Sequence, residues 1–120
     1  MISVIIPTYN EAKNIKATIQ TLRVNDENNL ITEIIIADGS STDETVSIAQ
    51  SLGVKVVISP KKGRSAQMNF GALNAKGEIF YFLHADTIPP KNFTKDIVNL
   101  IEQGYGAVAL CYLLITIIGF

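Results

Sequence analysis

Ile2-Ser3-Val4-Ile5-Ile6-Pro7-Thr8-Tyr9-Asn10-Glu11 opens the chain as an apolar, β-branched run that meets a proline and then turns polar. The same pattern returns at Ile34-Ile35-Ile36-Ala37-Asp38-Gly39-Ser40 and at Ile79-Phe80-Tyr81-Phe82-Leu83-His84-Ala85-Asp86. Runs this short and this apolar read as buried strands. In an open parallel sheet the carboxyl ends of the strands line the ligand crevice. Three such endings therefore predict one site assembled from three places.

Between these runs the period changes from that of a strand to that of a helix. From Asn10, read as an N-cap, Ile15, Ile19 and Leu22 recur at helical spacing. Residues 24 to 31 are turn-rich, and Glu33 to Ala37 is the second strand. Ser41-Thr42-Asp43-Glu44 matches a capping box, which predicts a helix running to about Leu52 and stopped by Gly53. Val54 to Ile58 reads as a third strand and Ser59 to Gly63 as a loop. Arg64 to Ala75 reads as a helix closed by Gly77, and Glu78 to Leu83 as a fourth strand. After Pro89-Pro90, the spacing of Phe93, Ile97, Leu100 and Ile101 predicts another amphipathic helix ending near Gly104. Strict alternation of apolar strands and helices predicts an α/β fold, a Rossmann-like parallel sheet with helices on both faces.

Composition narrows the function classes. A chain of 120 residues is expected to form one domain. Net charge is -1 and no basic run exceeds Lys61-Lys62, so nucleic acid is not expected as a partner. The single Cys111 allows no internal disulfide, and Cys/His metal spacing is absent, which suits a reducing compartment. Met1 leads directly into a strand with no basic leader, so a cytoplasmic location is expected. No Gly-x-Gly-x-x-Gly follows the first strand and no Gly-x-x-x-x-Gly-Lys-Ser/Thr occurs. Both absences disfavour a dinucleotide dehydrogenase and a P-loop NTPase. A nucleotidyltransferase is disfavoured by the lack of a glycine-rich loop after the first strand.

The strand ends carry the chemistry. Tyr9 offers a ring on which a base can stack beside the Pro7 turn, or it is simply a half-buried aromatic. Asp38 can accept from a nucleobase N–H or a ribose hydroxyl, or it can bond the backbone of its own Asp-Gly turn. His84 and Asp86, two apart on an extended segment, project the same way. One carboxylate with diphosphate oxygens and waters is a normal shell for Mg2+ or Mn2+, which makes Asp86 the candidate ligand. His84 reads either as a site residue or as a hydrogen-bonded structural histidine. Arg64 opens a helix whose N-terminus favours an anion, and its guanidinium can grip a phosphate. Lys61 and Lys62 read as a solvated basic loop.

Taken in order, Ile2 to Glu11, then Asp38-Gly39-Ser40-Ser41-Thr42-Asp43, then Gly63-Arg64 with Asn69 and Gly71, then His84-Ala85-Asp86, resemble the family 2 glycosyltransferases of the GT-A fold. Lys62 to Asn69 together with Phe82 to Thr87 look most like a bacterial branch of radical-SAM/selenodomain-associated transferases. The resemblance implies transfer of a sugar from a nucleotide donor with inversion at the anomeric carbon. It implies nucleoside contacts at Pro7, Tyr9 and Asp38, and a phosphate or base contact at Arg64. It places Glu11 at the edge of the site, and it puts Mg2+ or Mn2+ on Asp86, the metal-binding end of an Asp-x-Asp. His84 replaces the first aspartate of that motif and is expected to touch phosphate or ribose.

The resemblance covers residues 1 to 103. Family members continue further, into an acceptor surface that carries an acidic general base. No acidic residue follows Glu102, so no general base can be named here, and the acceptor is not identified. The expectation is a single GT-A nucleotide-binding domain over 1–120, truncated at its C-terminus, with 104–120 as an uncharged apolar tail. That tail reads as a fifth strand near Ala107 to Cys111 followed by an apolar remnant, or as a membrane anchor. As a helix it would span about 25 Å, against a hydrocarbon core of roughly 30 Å. Two functions stay open. One is a donor half that needs missing sequence to act as an enzyme. The other is a non-catalytic nucleotide-binding or interaction module, whose tail mediates oligomerisation or contact with the inner face of the membrane.

Overall fold

A computed structural model describes residues 1–104 and the backbone of two further strands, 107–110 and 113–117. The elements are β1 (Ile2–Thr8), α1 (Ile15–Asn25), β2 (Ile31–Asp38), α2 (Thr45–Ser51) and β3 (Lys55–Ile58). They continue with α3 (Arg64–Leu73), β4 (Ile79–Phe82), α4 (Phe93–Glu102), β5 (Ala107–Leu110) and β6 (Leu113–Ile117). The sheet order is β3-β2-β1-β4-β6-β5. β1 pairs in parallel with β2 and with β4, and β2 pairs in parallel with β3. The chain therefore winds outward from β1 through β2 to β3 and then crosses to the other side of β1. That crossing puts a topological switch point between β1 and β4.

Side-chain parity distributes the helices over the two faces. Ile2, Val4 and Ile6 of β1, Ile34 and Ile36 of β2, and Ile79 and Tyr81 of β4 share one buried cluster. Ile15, Ile19 and Leu22 of α1, Ala49 of α2, and Phe93 and Ile97 of α4 belong to the same cluster. The alternate residues point the other way, and α3 lies on them. A Cβ at Gly71 would stand 2.5 Å from Ile5 Cγ2 and 3.3 Å from the Ala37 Cβ, so only glycine lets this helix sit so close. The expected helix-covered parallel arrangement thus holds for the four strands β1 to β4. Tyr81 packs tilted against Phe93 at 5.2 Å between ring centroids, and burial pushes its hydroxyl pKa up.

Three expectations need correction. Asn10 and Ser41 do not cap helices. α1 begins after Asn14 and α2 after Glu44, neither with a side-chain cap, because Asn10 and Ser41 bond across the two loops instead. The sheet is not wholly parallel, since β6 runs antiparallel to both β4 and β5. The uncharged tail is not a spanning helix over its described part. β6 lies beside β4, where sheet pairing satisfies backbone groups, and no helix among the described residues is long and apolar enough to cross a membrane. The expected extension of the fifth strand to Cys111 and the tail end at 118–120 fall outside the described residues.

Candidate functional site

β1 and β4 both end at the switch point, and a cleft of about 300 Å3 opens there. Its walls are Pro7, Thr8, Tyr9 and Glu11 after β1, Lys62, Gly63, Arg64 and Gln67 at the start of α3, and His84, Ala85 and Asp86 after β4. Six of the residues singled out by sequence are thereby brought together: Pro7, Tyr9, Glu11, Arg64, His84 and Asp86. Parity places only Pro7 on the α3 side of β1. Tyr9 follows the end of β1, and the expected extended segment at His84 and Asp86 is instead a turn, with the Thr87 N–H donating to the His84 carbonyl at 3.0 Å.

Asp38 is the exception. It is fully buried and does not line the cleft. Its Oδ1 accepts from Thr8 Oγ1 at 2.7 Å and from Ser41 Oγ at 2.6 Å, and its Oδ2 accepts from the Ser41 N–H at 2.8 Å. The turn-aspartate reading is the one that fits, and the site is assembled from two strand ends and a helix start rather than from three strand ends. Register gives the reason. Asp38 stands beside Thr8 while Ala37 stands beside Pro7, so the carboxylate points away from the α3 side.

Two loops are clamped above this turn. Asn10 adopts φ 52, a left-handed conformation that asparagine tolerates, and its Oδ1 accepts from the Thr42 N–H at 2.8 Å. Ser41 Oγ accepts from the Asn10 N–H at 2.9 Å, and Thr45 Oγ1 accepts from the Glu11 N–H at 2.9 Å. Asp43 accepts from the Thr45 hydroxyl, from the Thr45 N–H at 3.0 Å and from the Ala12 N–H at 3.2 Å. The bond from the Thr45 hydroxyl is the chief reason its pKa lies below the ordinary aspartate value of 3.8. The clamp fixes the path of the chain through Tyr9 and Glu11.

The α3 side was less legible in sequence. Gln67 is buried, donating from Nε2 to the Thr8 carbonyl at 2.8 Å and the Ala37 carbonyl at 2.9 Å. Its Oε1 accepts from the Gly63 N–H at 3.0 Å, so one side chain pins the helix start to the ends of β1 and β2. Gly63 has φ 134, a conformation open to glycine, and it aims the first turn of α3 at the cleft. Lys62, expected in a solvated loop, places Nζ 3.4 Å from the centroid of the Tyr9 ring. Tyr9 itself is 39% exposed.

Electrostatically the cleft is mixed. Lys62, Arg64 and the positive end of the α3 dipole line it together with Glu11 and Asp86. Among the described residues no group of three or more His, Cys, Asp and Glu side chains could cage a metal. The residues present fit a hard cation that takes one exposed carboxylate and completes its shell from phosphate and water.

A family model described as "Glycosyl transferase family 2" matches residues 3–116. An uncharacterized glycosyltransferase of Rickettsia bellii is 36% identical over 101 residues, covering 84% of this chain and 31% of that protein. A dolichyl N-acetyl-alpha-D-glucosaminyl phosphate 3-beta-D-2,3-diacetamido-2,3-dideoxy-beta-D-glucuronosyltransferase of Methanococcus voltae is 30% identical over 109 residues, covering 85% of this chain and 34% of that protein. The chain spans about a third of the length of the curated relatives it matches. Among solved structures, S. aureus TarS in complex with UDP-GlcNAc superposes with a TM-score of 0.75 at 28% identity, over 85% of this chain and 31% of that one. The mannosyltransferase PcManGT of Pyrobaculum calidifontis, in complex with GDP-Man and Mn2+, gives 0.76 at 26% identity, over 90% and 34%. The sheet, its covering helices and these matches are those of the GT-A glycosyltransferases, and the chain belongs to glycosyl transferase family 2.

Proposed function

We propose that residues 1–120 form one domain that binds the nucleotide-diphosphate sugar donor of a glycosyltransferase, in the cleft between the ends of β1 and β4. The observation that carries this is the convergence of Pro7, Tyr9, Glu11, Arg64, His84 and Asp86 on that single cleft. In this reading Pro7 and Tyr9 hold the base, and Arg64 with the α3 N-terminus receives the diphosphate. Glu11 borders the site, and His84 contacts phosphate or ribose. Asp86 takes Mg2+ or Mn2+. Asp38 acts indirectly, by fixing Thr8 and the Ser41 turn. The solved relatives with UDP-GlcNAc or with GDP-Man and Mn2+ support a donor of this class.

Sugar transfer with inversion needs the diphosphate to leave with its charge compensated. A bound divalent cation supplies part of that compensation. Arg64 supplies another part from a helix start that Gln67 holds in place, so little reorganisation is needed as the charge develops. No general base for the acceptor is assigned to these residues. The kinship with radical-SAM/selenodomain-associated transferases rests on the motifs at Lys62 to Asn69 and Phe82 to Thr87.

Titration calorimetry with UDP and with GDP, each in the presence of Mn2+, tests the reading. One of the two is expected to bind, and Arg64→Ala is expected to weaken it by about ten-fold or more, the worth of a charge-assisted hydrogen bond. Absence of binding by both nucleotides would overturn it.

A further inference from the structure

Lys62 is used by nothing described so far, yet its ammonium covers the ring on which the base is proposed to stack. Lysine and tyrosine both line the cleft, so the ammonium and the ring it covers border the ligand space. The backbone around Lys62 is held firmly. Ser59 Oγ donates to the Lys61 carbonyl at 2.6 Å, and the Gly63 N–H is held by Gln67. Only the side chain is left to move, and a lysine stem is flexible enough to do so. Two residues along, Arg64 and the first turn of α3 mark where a phosphate would sit. An ammonium leaving the ring therefore has a destination that exists only when the ligand carries phosphate.

We propose that Lys62 is an exchangeable cap on Tyr9: it covers the ring in the empty cleft and passes to the donor's phosphates when a base takes its place. The inference rests on the nucleotide reading of the cleft. Its consequence is selectivity for the diphosphate. A nucleoside must displace the ammonium without compensation, whereas a nucleoside diphosphate offers the displaced charge a stronger partner. A cation over an exposed ring accounts for about a two- to five-fold change in affinity. An ammonium on a phosphate accounts for about ten-fold. Removing the charge must therefore shift the two ligand classes in opposite directions.

The test compares wild type with Lys62→Met, which keeps the length of an exposed side chain and removes its charge. Ligand-observed NMR is used for uridine and guanosine, and calorimetry with Mn2+ for UDP and GDP. The expected result is nucleoside binding about two- to five-fold tighter and diphosphate binding about two- to five-fold weaker, the about ten-fold loss at the phosphate being offset in part by the freed ring. Lys62→Arg should restore the diphosphate. A second readout follows the lysine directly. In the free chain one Lys ε-methylene signal should be shifted upfield by the Tyr9 ring, be absent in Tyr9→Leu, and return to the exposed-lysine position on adding the nucleotide that binds. A signal that stays shifted in the bound state overturns the exchange. So does a Lys62→Met variant that weakens nucleoside and diphosphate alike, as a lysine clamping the base from outside would, or one that changes neither. If wild type binds neither diphosphate, the nucleotide reading falls and the exchange falls with it. If wild type binds and the split is missing, only the exchange falls.

Discussion

Gln67 commits both amide hydrogens and its carbonyl oxygen to backbone groups of three different segments. Gln67→Leu fits the volume but removes the partner of the Gly63 N–H and of the Ala37 carbonyl, while the Thr8 carbonyl keeps the Gly39 N–H at 2.9 Å. It should cost about 2–4 kcal/mol in urea unfolding, since each buried polar group left unpaired costs about 1–3. A loss below about 0.5 kcal/mol would show that water replaces the side chain without penalty. Asp38→Ala should likewise destabilise by about 1–3 kcal/mol, because it leaves the buried Thr8 hydroxyl and the half-buried Ser41 donors without their acceptor. Residual nucleotide affinity in that variant separates a positioning residue from a direct contact. Neither role could be read from residue type alone. Gln67 has no period that distinguishes it from any other inward helical position, and Asp38 looks identical in sequence whether it faces a ligand or its own turn. The strand register decides the second case: the pairing of Pro7 with Ala37 and of Thr8 with Asp38 puts the proline and the aspartate on opposite faces. Lys62 is exposed in a loop as expected, but its contact with Tyr9 is not legible in sequence, since a basic loop residue reveals its partner only once β1 and α3 are adjacent in space.

The strands and helices themselves were legible, because their apolar periods are set by the core they bury. Ile15, Ile19 and Leu22 do form the inner face of α1, and Arg64 does open α3. The caps were not legible. Asn10, Ser41 and Asp43 have capping chemistry but use it between loops rather than within a helix, a choice made by tertiary contact. The clamp has a pH signature. The Asp43 carboxylate is favoured in the folded state, so its contribution is present above the ordinary value of 3.8 and is lost as pH falls through the lower folded value. Unfolding curves of wild type and Asp43→Asn should therefore converge on acidification. A constant gap between them would assign the difference to something other than the carboxylate charge. The seating of α3 is testable too. Gly71→Val places branched carbons where a single Cβ already meets Ile5 at 2.5 Å, so a loss of about 1–3 kcal/mol or more is expected. An unchanged midpoint would mean that the helix lifts without loss.

At the scale of the whole molecule, strand order decides where function can lie. In the order β3-β2-β1-β4-β6-β5 the switch point lies between β1 and β4, and a cleft is found at their carboxyl ends. The chain belongs to glycosyl transferase family 2, and in the proposed reading the exposed Asp86 would hold the metal in that crevice. The antiparallel pairing of β6 with β4 is not legible from an uncharged run read as a fifth strand followed by an apolar remnant, or as a membrane anchor too short to span as a helix. Binding should be felt globally: at a hundred times its dissociation constant, a nucleotide with Mn2+ adds about 2.7 kcal/mol to folding stability, a rise in Tm on the order of 10 °C. The central claim is that the cleft holds a nucleotide diphosphate through a metal on Asp86. Calorimetric titration of the nucleotide into wild type and Asp86→Ala, each with and without Mn2+, tests it most directly. Wild type should bind tightly only with Mn2+, and Asp86→Ala should bind no better with the metal than without it. Undiminished Mn2+-dependent binding by Asp86→Ala would contradict the account.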